Sequence, residues 1–315
     1  MSLSETPAAK QERSALISGI AAFGFWGVIP IYWKFMASVP APQILAHRVV
    51  WTAIFLVALL SWNNQWSEVL GAFKSRRAML YCLASGASIS LNWLVFIWAV
   101  NANHVLETSL GYFMTPLVNV LFGAVFLRER LSRLQLASVL LATVAVLILT
   151  LGYGRFPWIA VVLAVSFGLY GLLRKVSGTA ATPGLFIETI LMVPIAVIFL
   201  LVQQLHGTLF FGAPNWTASV LLLTTGVVTG LPLVWFGYAA RHLRLTTLGF
   251  LQYIAPSCTF FLSIYLYNEP FTRAHLVTFA LIWIALAIFT AETVRRWRSA
   301  RIATATAARI GEASA

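Results

Sequence analysis

Ten stretches of about twenty mostly apolar residues follow one another along this chain with only short polar links between them. No other feature narrows the possible folds as far. The runs cover residues 14–36, 41–61, 78–100, 105–127, 132–151, 157–173, 183–203, 217–239, 246–267 and 273–292. A bilayer core is spanned by roughly 20 helical residues, and a helix satisfies its own backbone groups in lipid, which an isolated strand cannot do. The expected fold is therefore an all-α membrane protein with ten transmembrane helices. Composition agrees: 60% of the 315 residues are hydrophobic and 10% are charged, whereas a soluble domain carries about 25% charged residues. The links are too short to hold a soluble catalytic domain. Cys82 and Cys258 both lie inside apolar runs and neither mark an oxidising compartment nor form a metal site by themselves.

The charges are asymmetric along the chain. Lys and Arg number 21 against nine acidic residues, all of them Glu. With the N-terminus in the cytoplasm and ten crossings, 17 of the 21 basic residues fall in cytoplasmic segments, and only Arg155 and Arg273 fall outside. The net charge of +12 thus reads as a record of orientation rather than of a nucleic-acid partner, with both termini cytoplasmic. The first apolar run lacks a small-residue cleavage site and is expected to stay as a span.

Internal similarity divides the chain in two. Residues 116–150 align with 256–290 at an offset of 140, so that Pro116 meets Pro256, Glu129 meets Glu269 and Arg133 meets Arg273. His104–Gly111 aligns with His242–Gly249 at an offset of 138. This organisation gives a tail at 1–13, a first repeat at 14–151, a second at 157–292 and a basic tail at 293–315. Each repeat holds five spans, and five is odd, so the second repeat enters the membrane from the opposite side. Inverted repeats suit alternating access, because one template packs as either the open or the closed side. A non-transporting membrane receptor or assembly scaffold is the alternative.

Polar groups inside the spans mark where a water-filled path would run. Thr108, Tyr112, Thr115 and Asn119 share one face of the fourth span, and Gln252, Thr259 and Ser263 share the matching face of the ninth. Helix–helix hydrogen bonding is the competing explanation. Pro116 and Pro256 each leave a carbonyl, of Tyr112 and Gln252, without its usual partner. Trp26, Trp93 and Trp235 lie away from both interfaces, where flat amphipathic rings suit a moderately apolar solute. The expected solute contacts are Trp26, Asn92, Trp93, Tyr112, Asn119, Tyr170, Trp235, Gln252 and Tyr253. Four further groups are candidates for coupling or ion pairing: His47, Arg48, Glu107 and Glu188. Arg48 and Glu107 could pair in one leaflet, and Glu188 could meet Arg174, Lys175 or Arg241. Glu129 and Glu269 read as caps that lock the turns before spans five and ten. No nucleotide loop, metal-ligand cluster or nucleophile–base pair occurs, so no enzyme activity, metal or cofactor is expected.

Several stretches resemble a known family. Phe126-Leu-Arg-Glu-Arg-Leu-Ser-Arg-Leu-Gln135 looks like the end of an EamA repeat of the drug/metabolite transporter superfamily. His47-Arg48, Asn92–Asn101, Ser109–Phe113 with Pro116–Asn119, and Thr247–Tyr253 are similar to a bacterial branch of that family. The likeness runs over roughly residues 14–292. It implies a ten-helix permease of the bacterial inner membrane, with spans 1, 3, 4, 6, 8 and 9 around a central cavity. The resulting expectation is a secondary transporter, an exporter, of a small organic metabolite or drug such as an amino-acid-like or chloramphenicol-like solute. Its partners would be that solute and the bilayer, with the oligomeric state left open.

Overall fold

A computed structural model describes residues 7–313 apart from residues 37, 103, 153–155, 213–215 and 266–272. Among the described residues the secondary structure is helical throughout, in thirteen segments. In chain order they are α1 (Pro7–Val28), α2 (Pro30–Lys34), α3 (Ala41–Trp62), α4 (Trp66–Lys74), α5 (Arg76–Asn101), α6 (Val105–Phe126), α7 (Arg133–Gly152), α8 (Trp158–Val176), α9 (Ala181–Leu205), α10 (Trp216–His242), α11 (Leu245–Gln252), α12 (Ile254–Tyr265) and α13 (Arg273–Ala313). Among the described residues nine helices are long and apolar enough to cross a bilayer.

The segments differ from the expected spans where local chemistry intervenes. The chain breaks after Val28, next to Pro30, so the first expected span becomes α1 and the short α2. The ninth expected span is divided at Tyr253, three residues before Pro256, into α11 and α12. Proline removes a ladder bond and clashes with the preceding turn, which accounts for a break on its N-terminal side. The 62–77 link, expected to be irregular, contains α4. Asn64 in the left-handed region (φ 53°) reverses the chain, and α4 then buries Val69 and Ala72 and sets Trp66 edge-on to Phe186 at 5.4 Å. The helix of the tenth span runs on through the basic tail to Ala313, and α1 begins at Pro7, inside the expected N-terminal tail.

The helices form two compact units. The larger comprises residues 1–129 and 157–270. Within it α8 packs on α5 and α6, α1 packs on α10 and α12, α3 packs on α9 and α10, α5 packs on α9, and α11 packs on α6. The smaller comprises residues 130–156 and 271–315. There α7 and α13 run antiparallel: Gln135 Nε2 donates to Thr293 Oγ1 at 3.4 Å near one end, and Thr278 Oγ1 donates to the Ala145 carbonyl at 3.4 Å towards the other.

The faces of α9 show what surrounds the larger unit. Leu185, Phe186 and Ile187 are buried, whereas Ile195, Ile198, Leu201 and Leu205 are 58–85% exposed. A row of exposed branched aliphatics along one helix face would be a liability in water and is what a lipid-facing surface requires.

Candidate functional site

The larger unit holds its in-span polar groups at distinct levels. At the first level, Arg174 in the last turn of α8 meets Glu188, two turns into α9. Arg174 Nη1 lies 3.3 Å from Glu188 Oε1, and both side chains are at most 2% exposed. Arg174 Nη2 donates to the carbonyls of Ala181 (2.8 Å) and Ala180 (3.3 Å), and Ser85 Oγ on α5 donates to Glu188 Oε1 at 2.5 Å. The short α8–α9 link makes this possible, with Gly178 at φ +74° reversing the chain. Gly184 stands one turn before Glu188, and a Cβ there would overlap the Arg174 guanidinium. The network ties α5, α8 and α9 together. The Tyr170 hydroxyl is in electrostatic range of Glu188 but makes no hydrogen bond of good geometry.

The second level is aromatic. Tyr170 stacks on Phe236 with 5.7 Å between ring centroids, and Phe167 and Trp26 pack against Phe236 at 5.3 and 5.8 Å. Phe23 meets both Trp26 and Phe236 edge-on, at 5.6 and 6.0 Å. Next to this stack, Asn119 Nδ2 on α6 donates to Gln252 Oε1 on α11 at 2.8 Å. Asn119 is fully buried and its Oδ1 has no partner. Gly171 places its backbone between the stack and Asn119, with Phe236 and Asn119 atoms 3.4 and 3.5 Å from where a Cβ would be.

The third level centres on Arg48. Its Cζ lies 5.0 Å from the Trp33 ring centroid and 5.1 Å from that of Trp93, and its Nε donates to Thr229 Oγ1 on α10 at 3.1 Å. Tyr32 and Tyr112 are within electrostatic reach of the guanidinium. Tyr32 is held by its hydroxyl, which donates to the Leu221 carbonyl and pairs with Thr224 Oγ1 at 2.9 Å. Tyr112 is 51% exposed and meets Phe96 at 6.2 Å. Ser85 and Trp93 are eight residues apart on α5, and on α10 Thr229 is eight residues from Gly237, whose backbone lies against the Arg174 guanidinium. At 1.5 Å per residue the first and third levels are therefore about 12 Å apart.

This placement sorts the thirteen candidate residues. Trp26, Tyr170, Asn119 and Gln252 come together at the aromatic level, and Trp93, Tyr112 and Arg48 come together at the third. Glu188 belongs to the first. Asn92 is committed to packing, its Nδ2 donating to the Leu163 carbonyl (2.9 Å) and Ser166 Oγ (3.0 Å) on α8. Trp235 turns its ring edge-on to Phe25 at 6.5 Å, and Tyr253 reaches the Phe113 carbonyl at 3.4 Å. His47 is buried and stacks on Phe211 at 5.0 Å, its Nε2 without a partner.

Two expectations about contacts change. The Arg48–Glu107 pair does not form: Glu107 instead accepts the Ile159 N–H at 2.8 Å, capping the N-terminus of α8, where a carboxylate complements the helix dipole. The polar face of α6 is less a cavity wall than packed surface, since Thr108, Thr115 and Asn119 are at most 2% exposed and Thr115 Oγ1 donates back to the Gly111 carbonyl at 2.7 Å. On α12, Thr259 Oγ1 donates to the Gly27 carbonyl at 3.2 Å. His47 and Glu188 stand at different heights: Gln43, one turn before His47, meets Gln203 at 3.4 Å, fifteen residues or about 22 Å of helix beyond Glu188.

Of the three cations open to Glu188, the structure selects Arg174, and Gly184 one turn before Glu188 leaves the room for its guanidinium. Glu129 caps more remotely than expected: its two carboxylate oxygens accept the Leu245 and Thr246 N–H groups of α11 at 2.7 and 3.0 Å, with Arg244 at 3.8 Å. Glu269 lies outside the described residues, and the Ser263 side chain is likewise outside them.

Residues 13–151 match the EamA-like transporter family. A Vibrio cholerae transporter is 43% identical over 296 residues, covering 94% of this chain and 98% of that protein. The chain belongs to the EamA family. Within it the protein is of the RarD type: Protein RarD of Salmonella typhi is 44% identical over 286 residues, covering 91% of this chain and 97% of RarD. This EamA protein is thus a multi-pass membrane transporter. Its fold is similar to that of a solved crystal structure with a TM-score of 0.66 at 17% identity, covering 89% of this chain and 98% of the other. That likeness bears on the fold alone.

Proposed function

We propose that this EamA protein is a secondary exporter of a small organic solute across a bacterial inner membrane, working by alternating access of two inverted five-span repeats. The observation that carries the reading is the pattern of packing in the larger unit. If α1, α3, α5 and α6 are exchanged with α8, α9, α10 and α11–α12, the contacts α8·α6 and α8·α5 become α1·α12 and α1·α10, and α3·α10 becomes α9·α5, all of which occur. Such interchangeability is what two conformations built from one template require. In this reading α11 and α12 together form the ninth of ten spans, and the repeats are residues 14–151 and 157–292.

The positive-inside count places the Arg174 end and both termini in the cytoplasm. The Arg174–Glu188–Ser85 network then serves as an inner closure and the Arg48 level faces outward. Trp26, Tyr170, Asn119 and Gln252 lie between them as the central contacts, with Trp93 and Tyr112 on the outward route. Asn92, Trp235 and Tyr253 are reassigned to the packing that holds those groups in place.

Purified protein in liposomes, loaded with a panel of amino acids, aromatic acids and amphenicol-like amides, tests this. Efflux above that of protein-free vesicles for at least one compound is expected, and its saturation should weaken in Trp26→Ala. No flux for any compound, or chain ends labelled on opposite faces of intact cells, would overturn it.

A further inference from the structure

The Arg48 level contains a cation without a counter-charge. A guanidinium within a span is tolerated only when paired, hydrated or facing a cavity. Among the described residues no carboxylate lies within salt-bridge distance of Arg48, and three carboxylates of the larger unit are engaged elsewhere. Glu107 caps α8, Glu129 caps α11 and Glu188 holds Arg174.

The protein has instead invested in presenting the group. Trp33 and Trp93 flank it at 5.0 and 5.1 Å, and cation–π contact stabilises the charge without using its in-plane N–H donors. Thr229 takes Nε, which fixes the plane of the fork. Neither Nη nitrogen has a hydrogen-bond partner among the described residues. Arg48 is only partly buried, and the hydroxyl of the half-exposed Tyr112, within electrostatic reach of it, has no hydrogen-bond partner among the described residues.

We propose that Arg48 is a carboxylate-binding subsite, so that the cargo is an organic acid or amino acid with a flat apolar portion. A planar carboxylate matches the free Nη1–Nη2 edge of the guanidinium as a bidentate pair, and the two indoles beside it offer faces for the remainder of the molecule. The proposal rests on the transport reading for its meaning as a cargo site, but its binding chemistry can be tested separately.

Isothermal titration of the full chain in lipid nanodiscs would use acetate, benzoate, phenylalanine, 3-phenylpropionate, 3-phenylpropionamide and inorganic phosphate as probes. 3-Phenylpropionate should bind at least tenfold more tightly than its amide. Arg48→Gln should weaken the acid by about 10- to 100-fold, the usual worth of hydrogen bonds to a charged group, and leave the amide unchanged. Arg48→Lys keeps the charge without the fork and should fall between, which also serves if Arg48→Gln fails to fold. A purely structural arginine would lower the melting temperature of both variants without changing the acid-to-amide ratio, and that result overturns the proposal. So does absence of binding by all four carboxylates, or phosphate binding as tightly as 3-phenylpropionate. Carboxylate binding that depends on Arg48, with no flux of any solute, retains the subsite and removes the exporter reading. Flux of neutral solutes without carboxylate binding does the reverse.

Discussion

Replacing Arg174 by Met should loosen the closure at the α8–α9 end, and Cys82 is placed to report it. Arg174 contacts Glu188, both side chains being at most 2% exposed, and the carbonyls of Ala180 and Ala181. Removing one member of such a pair leaves a buried carboxylate uncompensated and costs about 3–5 kcal/mol. At about 1.4 kcal/mol per factor of ten, that corresponds to an upper bound of roughly 100- to 4,000-fold in an opening equilibrium. Ser85 keeps one hydrogen bond to Glu188, and water entering the opened end recovers part of the rest, so the expected rise is at least tenfold. Cys82 is fully buried and lies in electrostatic range of both Glu188 and Arg174. In a Cys258→Ser background, the rate at which a water-soluble maleimide modifies Cys82 therefore measures opening of this end. Arg174→Met and Glu188→Gln should each accelerate labelling. The double variant Arg174→Met with Glu188→Leu should label more slowly than either single change, because no unpaired charge remains. Labelling unchanged in the single variants, or fastest in the double one, would refute the assignment of this network as a closure.

Two further outcomes follow from contacts within the larger unit. Glu129→Ala should lower thermal stability by about 1–2 kcal/mol, because two N–H groups at the start of α11 lose their acceptor; Glu129→Gln should cost less, and equal melting of all three proteins would count against the cap. Asn119→Ala leaves Gln252 Oε1 without its donor and should destabilise by about 0.6–1.7 kcal/mol, the range of interhelical hydrogen bonds in lipid. Asn119→Ala with Gln252→Ala should cost little more than the single change in the same melting assay, and additive losses would show that the two amides act independently.

The parts of this fold that could be read from the chain are those set by solvent, and the parts that could not are those set by neighbours. Helix lengths follow from the apolar runs, because a bilayer demands a length and a backbone partner for every amide. The shared face of Thr108, Thr115 and Asn119 was also legible, since 3.6-residue periodicity fixes which side chains lie together. What that face meets was not legible: periodicity gives azimuth, and only tertiary packing decides between an open path and the surface of another helix. Arg174 was legible as one of three cations within reach of Glu188, but the choice among them was not, because it is made by the short link through Gly178 that folds α9 back over Arg174. Glu107 and Arg48 lie in the same leaflet by residue count, yet Glu107 meets the N-terminus of α8, a partner whose charge is a property of backbone geometry and leaves no letter in the sequence.

The Glu129 carboxylate follows the last residues of α6 and holds the first two amides of α11, a contact across 116 positions of the chain. Together with the Asn119–Gln252 bridge farther along the same two helices, it makes a pair of rungs between them. Helices joined at two heights resist sliding past each other and can swing only as a single lever. Any rearrangement of this transporter must accordingly carry α6 and α11 in concert, leaving the unwound joint at Tyr253 as the point where α12 is able to take a separate course.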